Sequence, residues 1–98
     1  METPWTQVTT GLSAITTCLE GDRPDTELAQ LFVKAERLCE AAATHAASRE
    51  DLARILANVK TAVETWQKVW PRLGRDKEFR LAVAREARLW AKRLSELA

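Results

Sequence analysis

The sequence contains no tyrosine, only two phenylalanines, and three residues each of glycine and proline. A β-sandwich needs more aromatic and β-branched side chains than this chain supplies. Alanine, leucine, glutamate, lysine and arginine dominate instead, and these residues lose little conformational freedom on entering a helix. The composition of these 98 residues predicts one all-α domain, residues 1–98, with a single hydrophobic core.

Long hydrophobic runs are also missing, since no stretch of eighteen apolar residues occurs. A transmembrane helix needs about twenty such residues. The first ten residues lack the basic and apolar regions of a signal peptide. We therefore expect a cytoplasmic protein with no membrane partner.

Cysteine is scarce, with only Cys18 and Cys39 present. In the helical hairpin predicted below, Cys39 lies about a dozen residues further from the first turn than Cys18, an offset of roughly 18 Å. A disulfide requires Cα atoms within about 7 Å of each other. The spacing predicts two reduced, partly buried thiols, which suits a reducing compartment.

The chain lacks the residue combinations that enzymes and metalloproteins use. His45 is the only histidine, and it follows Cys39 by six residues, which places the two on different faces of a helix. Glu36 and Glu40 belong to no Glu-x-x-His pair, and there is no glycine-rich phosphate loop. We expect no catalytic residue, no metal, no cofactor and no small-molecule substrate.

Apolar residues recur at helical spacing in four stretches of the sequence. They predict helices at about residues 4–20, 25–46, 49–70 and 76–97. Because the intervening loops are short, consecutive helices should be antiparallel neighbours. The predicted fold is an up-down-up-down four-helix bundle. The alternative is a three-helix core with the first helix docked on a partner.

Several residues indicate where these helices begin and end. Thr3 suits the N-cap of the first helix. Ser48–Asp51 has the form of a capping box and predicts the start of the third. Pro71 disfavours a helical conformation at Trp70, so the third helix should end there or kink and finish at Gly74.

All four tryptophans lie in register with apolar stripes, which favours core packing over base stacking. Trp5 and Trp70 lie near helix ends, and we expect them to be partly exposed. Leu81 and Leu89 fall off the main apolar face of the last helix. They are either ordinary surface leucines or part of a second contact face.

Charge is distributed unevenly along the chain. Residues 1–53 hold four basic and nine acidic residues, a net charge of −5, whereas residues 54–98 hold eleven basic and five acidic residues, a net charge of +6. The total of +1 hides this separation.

The excess of basic residues is concentrated on one side of the last helix. Five of its basic side chains fall within a sector about 140° wide, namely Lys77, Arg80, Arg85, Arg88 and Lys92. The apolar face centred on Val83 and Trp90 lies roughly opposite. Three more basic residues lie near the start of this helix. The candidate polyanion or partner face is Lys68, Arg72, Arg75, Lys77, Arg80, Arg85, Arg88 and Lys92.

Two interpretations of this basic face remain open. It binds a polyanion or an acidic protein, or it is a solvated face whose charges pair with the acidic half. We expect a non-enzymatic interaction or assembly module that acts on a protein partner or a second copy of itself. The alternative is a small subunit that contacts nucleic-acid backbone without sequence specificity inside a larger complex.

Overall fold

Four α-helices make up nearly all of the computed structural model, which describes residues 4–21, 25–46 and 48–97. They are α1 (Pro4–Glu20), α2 (Asp25–His45), α3 (Glu50–Leu73) and α4 (Lys77–Leu97). The all-α prediction is confirmed, and seven of the eight helix ends lie within one residue of the predicted positions.

The helices form a ring in which each packs on its neighbours in the chain, and α4 returns to α1. Contacts between side chains show that α2 and α3 are antiparallel. Lys60 Nζ lies 3.1 Å from Glu40 Oε1, whereas the later Gln67 donates to the earlier Glu36 at 3.1 Å. This arrangement confirms the four-helix bundle.

Helix α1 is an integral part of the core. Val8, Leu12 and Ile15 on α1 are fully buried, and α1 makes extensive contacts with both α2 and α4. Burying each of these side chains contributes about 1.5–3 kcal/mol relative to leaving it exposed. The alternative three-helix core with a detached first helix is therefore wrong for this structure.

Small residues bring α1 and α2 close together. A Cβ added at Gly11 would lie 3.3 Å from Leu38 Cδ1 and 4.0 Å from Ala35, so the two backbones approach where side chains are smallest. Cys18 and Cys39, one on each of these helices, are both buried and are not joined in a disulfide, as the spacing predicts.

Aromatic rings fill the space between α2, α3 and α4. Among the four pairs of neighbouring helices in the ring, α3 and α4 make the least contact with each other. The Phe32 ring is 6.1 Å from Trp66 and 5.4 Å from Trp70, and Trp70 is 6.0 Å from Phe79. Trp66 is buried, while Trp70 and the two remaining tryptophans are partly buried against the core. The predicted core role of the tryptophans is confirmed.

The predicted capping box at the start of α3 is wrong. The N-cap residue is Arg49, and its side chain makes no capping hydrogen bond. Ser48 lies one position too early, because the Arg49 N–H donates to Ala46 O at 2.9 Å and completes a turn before the helix begins. Asp51 accepts the Leu52 N–H at 2.8 Å instead. The N-cap predicted at Thr3 lies outside the described residues.

The end of α3 is also later than residue 70. Pro71 lies inside the last turn, the helix continues to Leu73, and Gly74 follows as its C-cap. The Gly74 N–H donates to Trp70 O at 2.8 Å and closes that turn. The second of the two predicted endings, the one at Gly74, is the one that the chain adopts.

The helices together form a bundle with extents of 40 × 23 × 19 Å. Among the described helices, none combines the length with the apolar composition that a bilayer-crossing segment requires.

Candidate functional site: a basic groove between α1 and α4

A groove of about 650 Å³ runs between the C-terminal end of α1 and the first half of α4. Basic side chains make up most of its lining, with one carboxylate and a few apolar residues. We call this the basic groove, and its lining residues are Leu19, Glu20, Arg75, Lys77, Arg80, Leu81, Ala84, Arg85 and Arg88.

The helical repeat of α4 produces two parallel rows of side chains at this groove. Arg80, Ala84 and Arg88 follow one another at intervals of one turn, and the adjacent row begins with Leu81 and Arg85. Ala84 is buried, although it lies among the cations. The basic sector therefore flanks the packed face of α4 on the α1 side. The prediction from the helical wheel, which placed this sector opposite the packed face, is wrong here.

Two of the five cations in the groove are held by intramolecular contacts. Arg88 forms an ion pair with Glu20 at the end of α1. Arg80 is half-buried, donates to Gly74 O at 2.8 Å, and places its guanidinium 5.4 Å from the centre of the Trp70 ring. These contacts position the two arginines as parts of the groove wall.

The other three cations, Arg75, Lys77 and Arg85, are exposed. Within residues 4–21, 25–46 and 48–97 they form no ion pair. Like charges that converge on one concave surface raise the local positive potential, and an anion placed there is attracted by all of them together.

Two carboxylates of α2, Glu36 and Glu40, do not neutralise the groove, because they contact side chains of α3. The Glu40 carboxylate binds Lys60, and this hydrogen bond raises the pKa of the lysine above its ordinary value. Glu36 accepts a hydrogen bond from Gln67. In the described part of the chain, Glu20 is the one carboxylate that lines the groove.

The eight predicted site residues are therefore only partly brought together. Five line the basic groove. Arg72 lines a smaller depression beside it, together with Arg75, Trp70 and Gly74. Lys68 and Lys92 are exposed and do not line the groove.

The apolar lining of the groove was not predicted from the sequence. Leu81 retains 55% of its surface exposed, and Leu19 and Ala84 lie beside it. The position of Leu81 off the main apolar face was a usable signal. No feature of the sequence indicated Leu19 and Glu20, because their place in the groove depends on how α4 is rotated against α1.

The Cys39 thiol has no reactive environment. Burial of Cys39 raises the pKa of its thiol to about 12, with Lys60 lowering it less strongly, so the thiolate is strongly disfavoured at neutral pH. His45 is exposed at the end of α2. Across the described ranges, no three His, Cys, Asp or Glu side chains group together as a metal site would require.

No known protein family, curated protein or solved structure matches this chain.

Proposed function

We propose that this protein is a non-enzymatic interaction module that binds an anionic macromolecular partner in the basic groove. The observation that carries the proposal is the ratio of five cationic side chains to one carboxylate around a single concave surface. A cleft lined by charges of one sign focuses their field and raises the local concentration of oppositely charged ligands.

Apolar surface inside the groove favours a protein partner. Leu81 is more than half exposed there, and contact with an apolar side chain of the partner would bury that surface away from water. Nucleic-acid backbone is the second candidate, since exposed arginine guanidinium groups match phosphate geometry. A second copy of the chain is a third, through its acidic half.

Substitution of the three unpaired cations tests the proposal. We expect the triple variant Arg75→Gln, Lys77→Gln and Arg85→Gln to bind labelled poly-L-glutamate about tenfold more weakly than the unmodified protein, because each lost charge removes about 0.5–1 kcal/mol. Fluorescence anisotropy at low salt measures this change. These residues are better targets than Arg80 and Arg88, whose loss would also break internal contacts.

The matched control replaces three exposed cations elsewhere by glutamine, at Lys34, Arg37 and Lys68. Its net charge equals that of the triple variant. It should weaken binding less than about twofold. Equal losses in both variants would show that net charge alone causes the binding. An unmodified protein that binds neither poly-L-glutamate nor a dT20 oligonucleotide at low salt would contradict the proposal.

The dT20 oligonucleotide separates the two leading partner classes. Tighter binding to dT20 than to poly-L-glutamate would favour the nucleic-acid candidate. Three phosphate contacts then predict that the triple variant has a log–log salt slope shallower by about 2.

The proposed location remains the cytoplasm. Cys18 and Cys39 are buried and are not joined in a disulfide, which is the state that a reducing compartment maintains.

A further inference from the structure

An exposed row of side chains continues from the basic groove along the outside of α4. Leu81, Arg85 and Leu89 follow one another at intervals of one turn, and we call them the leucine ridge. Leu81 and Leu89 are 55% and 45% exposed, whereas Leu94 on the core side of α4 is fully buried. The two leucines are separated by about 12 Å along the helix axis.

Basic side chains surround the leucine ridge. Arg85 lies between the two leucines, Arg88 lies on the groove side, and Lys92 follows Leu89 by three residues. Two acidic residues of α4, Glu78 and Glu96, lie beyond the leucines at either end. Glu86 precedes Leu89 by three residues, and its carboxylate accepts a hydrogen bond from Trp66 Nε1 of α3 at 3.2 Å. The central part of the ridge is therefore apolar and positive.

This pattern matches the face that one helix presents to another in helix-in-groove recognition. Two apolar side chains seven or eight residues apart on a partner helix are separated by roughly 10–12 Å, which matches the separation of Leu81 and Leu89. Carboxylates beside those apolar residues would face Arg85, Arg88 and Lys92. A ligand with only negative charge would leave both leucines in water.

The aromatic residues nearby disfavour stacking of nucleic-acid bases. Arg80 covers Trp70 at 5.4 Å, and Arg93 covers Trp90 with its guanidinium 5.1 Å from the ring centre. No aromatic side chain lines the basic groove in the part of the chain that the structure describes. A second α4 is also disfavoured, since the helix carries six basic and three acidic residues and would repel its copy.

We infer that the partner bound at the basic groove is an acidic amphipathic helix that lies along α4 and packs two apolar side chains against Leu81 and Leu89. This inference rests on the proposed function and names the class of its partner. The partner helix carries its carboxylates near the centre of the contact, opposite Arg85 and its basic neighbours.

The test uses a designed 21-residue helical peptide with leucines seven residues apart and glutamates flanking them, labelled for fluorescence anisotropy. We expect it to bind the unmodified protein more tightly than the same peptide with its leucines replaced by serine, by about tenfold or more. The double variant Leu81→Gln and Leu89→Gln should lose that preference. Both leucines are exposed, so the variant is expected to fold, and circular dichroism checks this.

The matched control is the double variant Val33→Gln and Leu73→Gln, which removes the other two large exposed hydrophobic residues of the described chain. It should leave peptide affinity within about twofold. Leucine and serine peptides of equal affinity, with the Leu81/Leu89 variant unaffected, would overturn the inference while the proposed function stands. Tighter binding to dT20, or to vesicles containing phosphatidylserine, than to the leucine peptide would also overturn it. Failure of every polyanion to bind would remove the proposed function as well.

Discussion

At the scale of single residues, the fold changes the chemistry of Cys39 most. Its side chain is buried on α2, and the loss of hydration on burial is the largest cause of its high thiol pKa of about 12. The nearby carboxylates of Glu36 and Glu40 raise this pKa further, whereas Lys60 lowers it. A thiol held in this way packs as a small apolar group.

This environment predicts a loss of stability in alkaline solution. Between the ordinary thiol pKa of 9.0 and the native value of about 12, the unfolded chain loses a proton that the native chain keeps. The free energy of unfolding should therefore fall as pH rises through this range, by up to about 1.4 kcal/mol per pH unit from this group. Urea unfolding at several pH values, followed by tryptophan fluorescence, measures the slope.

The variant Cys39→Ala is the control, because it removes this contribution while the lysines continue to titrate. Tyrosine ionisation does not interfere, since the chain has no tyrosine. A Cys39→Ala slope equal to that of the unmodified protein would contradict the account of this thiol. Fast labelling of Cys39 by a thiol reagent in the native protein would contradict it too.

At the scale of helices and their junctions, the turn between α3 and α4 is tightly packed around Gly74. A Cβ added at Gly74 would lie 2.7 Å from Trp70 O and 2.8 Å from Trp70 Cε2. Neither the backbone carbonyl nor the indole ring can move away without disturbing its neighbours. The Trp70 ring packs on Phe32 and Phe79, and Arg80 of the basic groove lies over it.

We therefore expect Gly74→Ala to lower the free energy of unfolding by about 1–3 kcal/mol, as overpacking does elsewhere. The matched control is Gly11→Ala. There the added Cβ meets only the flexible end of Leu38 at 3.3 Å, and alanine gains about 1 kcal/mol of helix propensity over glycine, so the change should be within about 1 kcal/mol of zero. Urea denaturation compares the two. A Gly74→Ala variant as stable as the unmodified protein would refute this account of the turn.

The helices could be predicted from sequence because their apolar residues repeat at the helical period throughout. Their ends were harder where local signals competed. Ser48 and Asp51 have capping chemistry, yet the turn from Ala46 to Arg49 moves the helix start by one residue. Pro71 removes one backbone hydrogen bond, yet it lies inside the last turn of α3, which ends two residues later at Leu73.

At the scale of the whole molecule, the order of the helices in the ring determines where the charges meet. α2 and α4 lie on a diagonal, each between α1 and α3. Glu36 and Glu40 of α2 consequently bind side chains of α3 and do not reach α4. These two carboxylates therefore leave the cations of α4 uncovered, although Arg88 pairs with Glu20 of the acidic half.

The candidate site could be predicted only in part for the same reason. Periodicity along α4 placed Arg80, Arg85 and Arg88 on one side of a helix, which is local information. The contribution of Leu19 and Glu20 depends on the approach of α1 to α4, with buried Ala84 among the cations. The angle at which α1 packs against α4 depends on side chains of both helices, so the sequence of one helix alone does not determine it.

The central claim is that anionic partners bind at the basic groove, and an amide chemical-shift titration of the intact protein with poly-L-glutamate tests it most directly. We predict saturable shifts concentrated at residues 19–20 and 75–88, with much smaller changes along α2. Shifts that spread evenly over α2 and α3, or that never saturate, would contradict the claim.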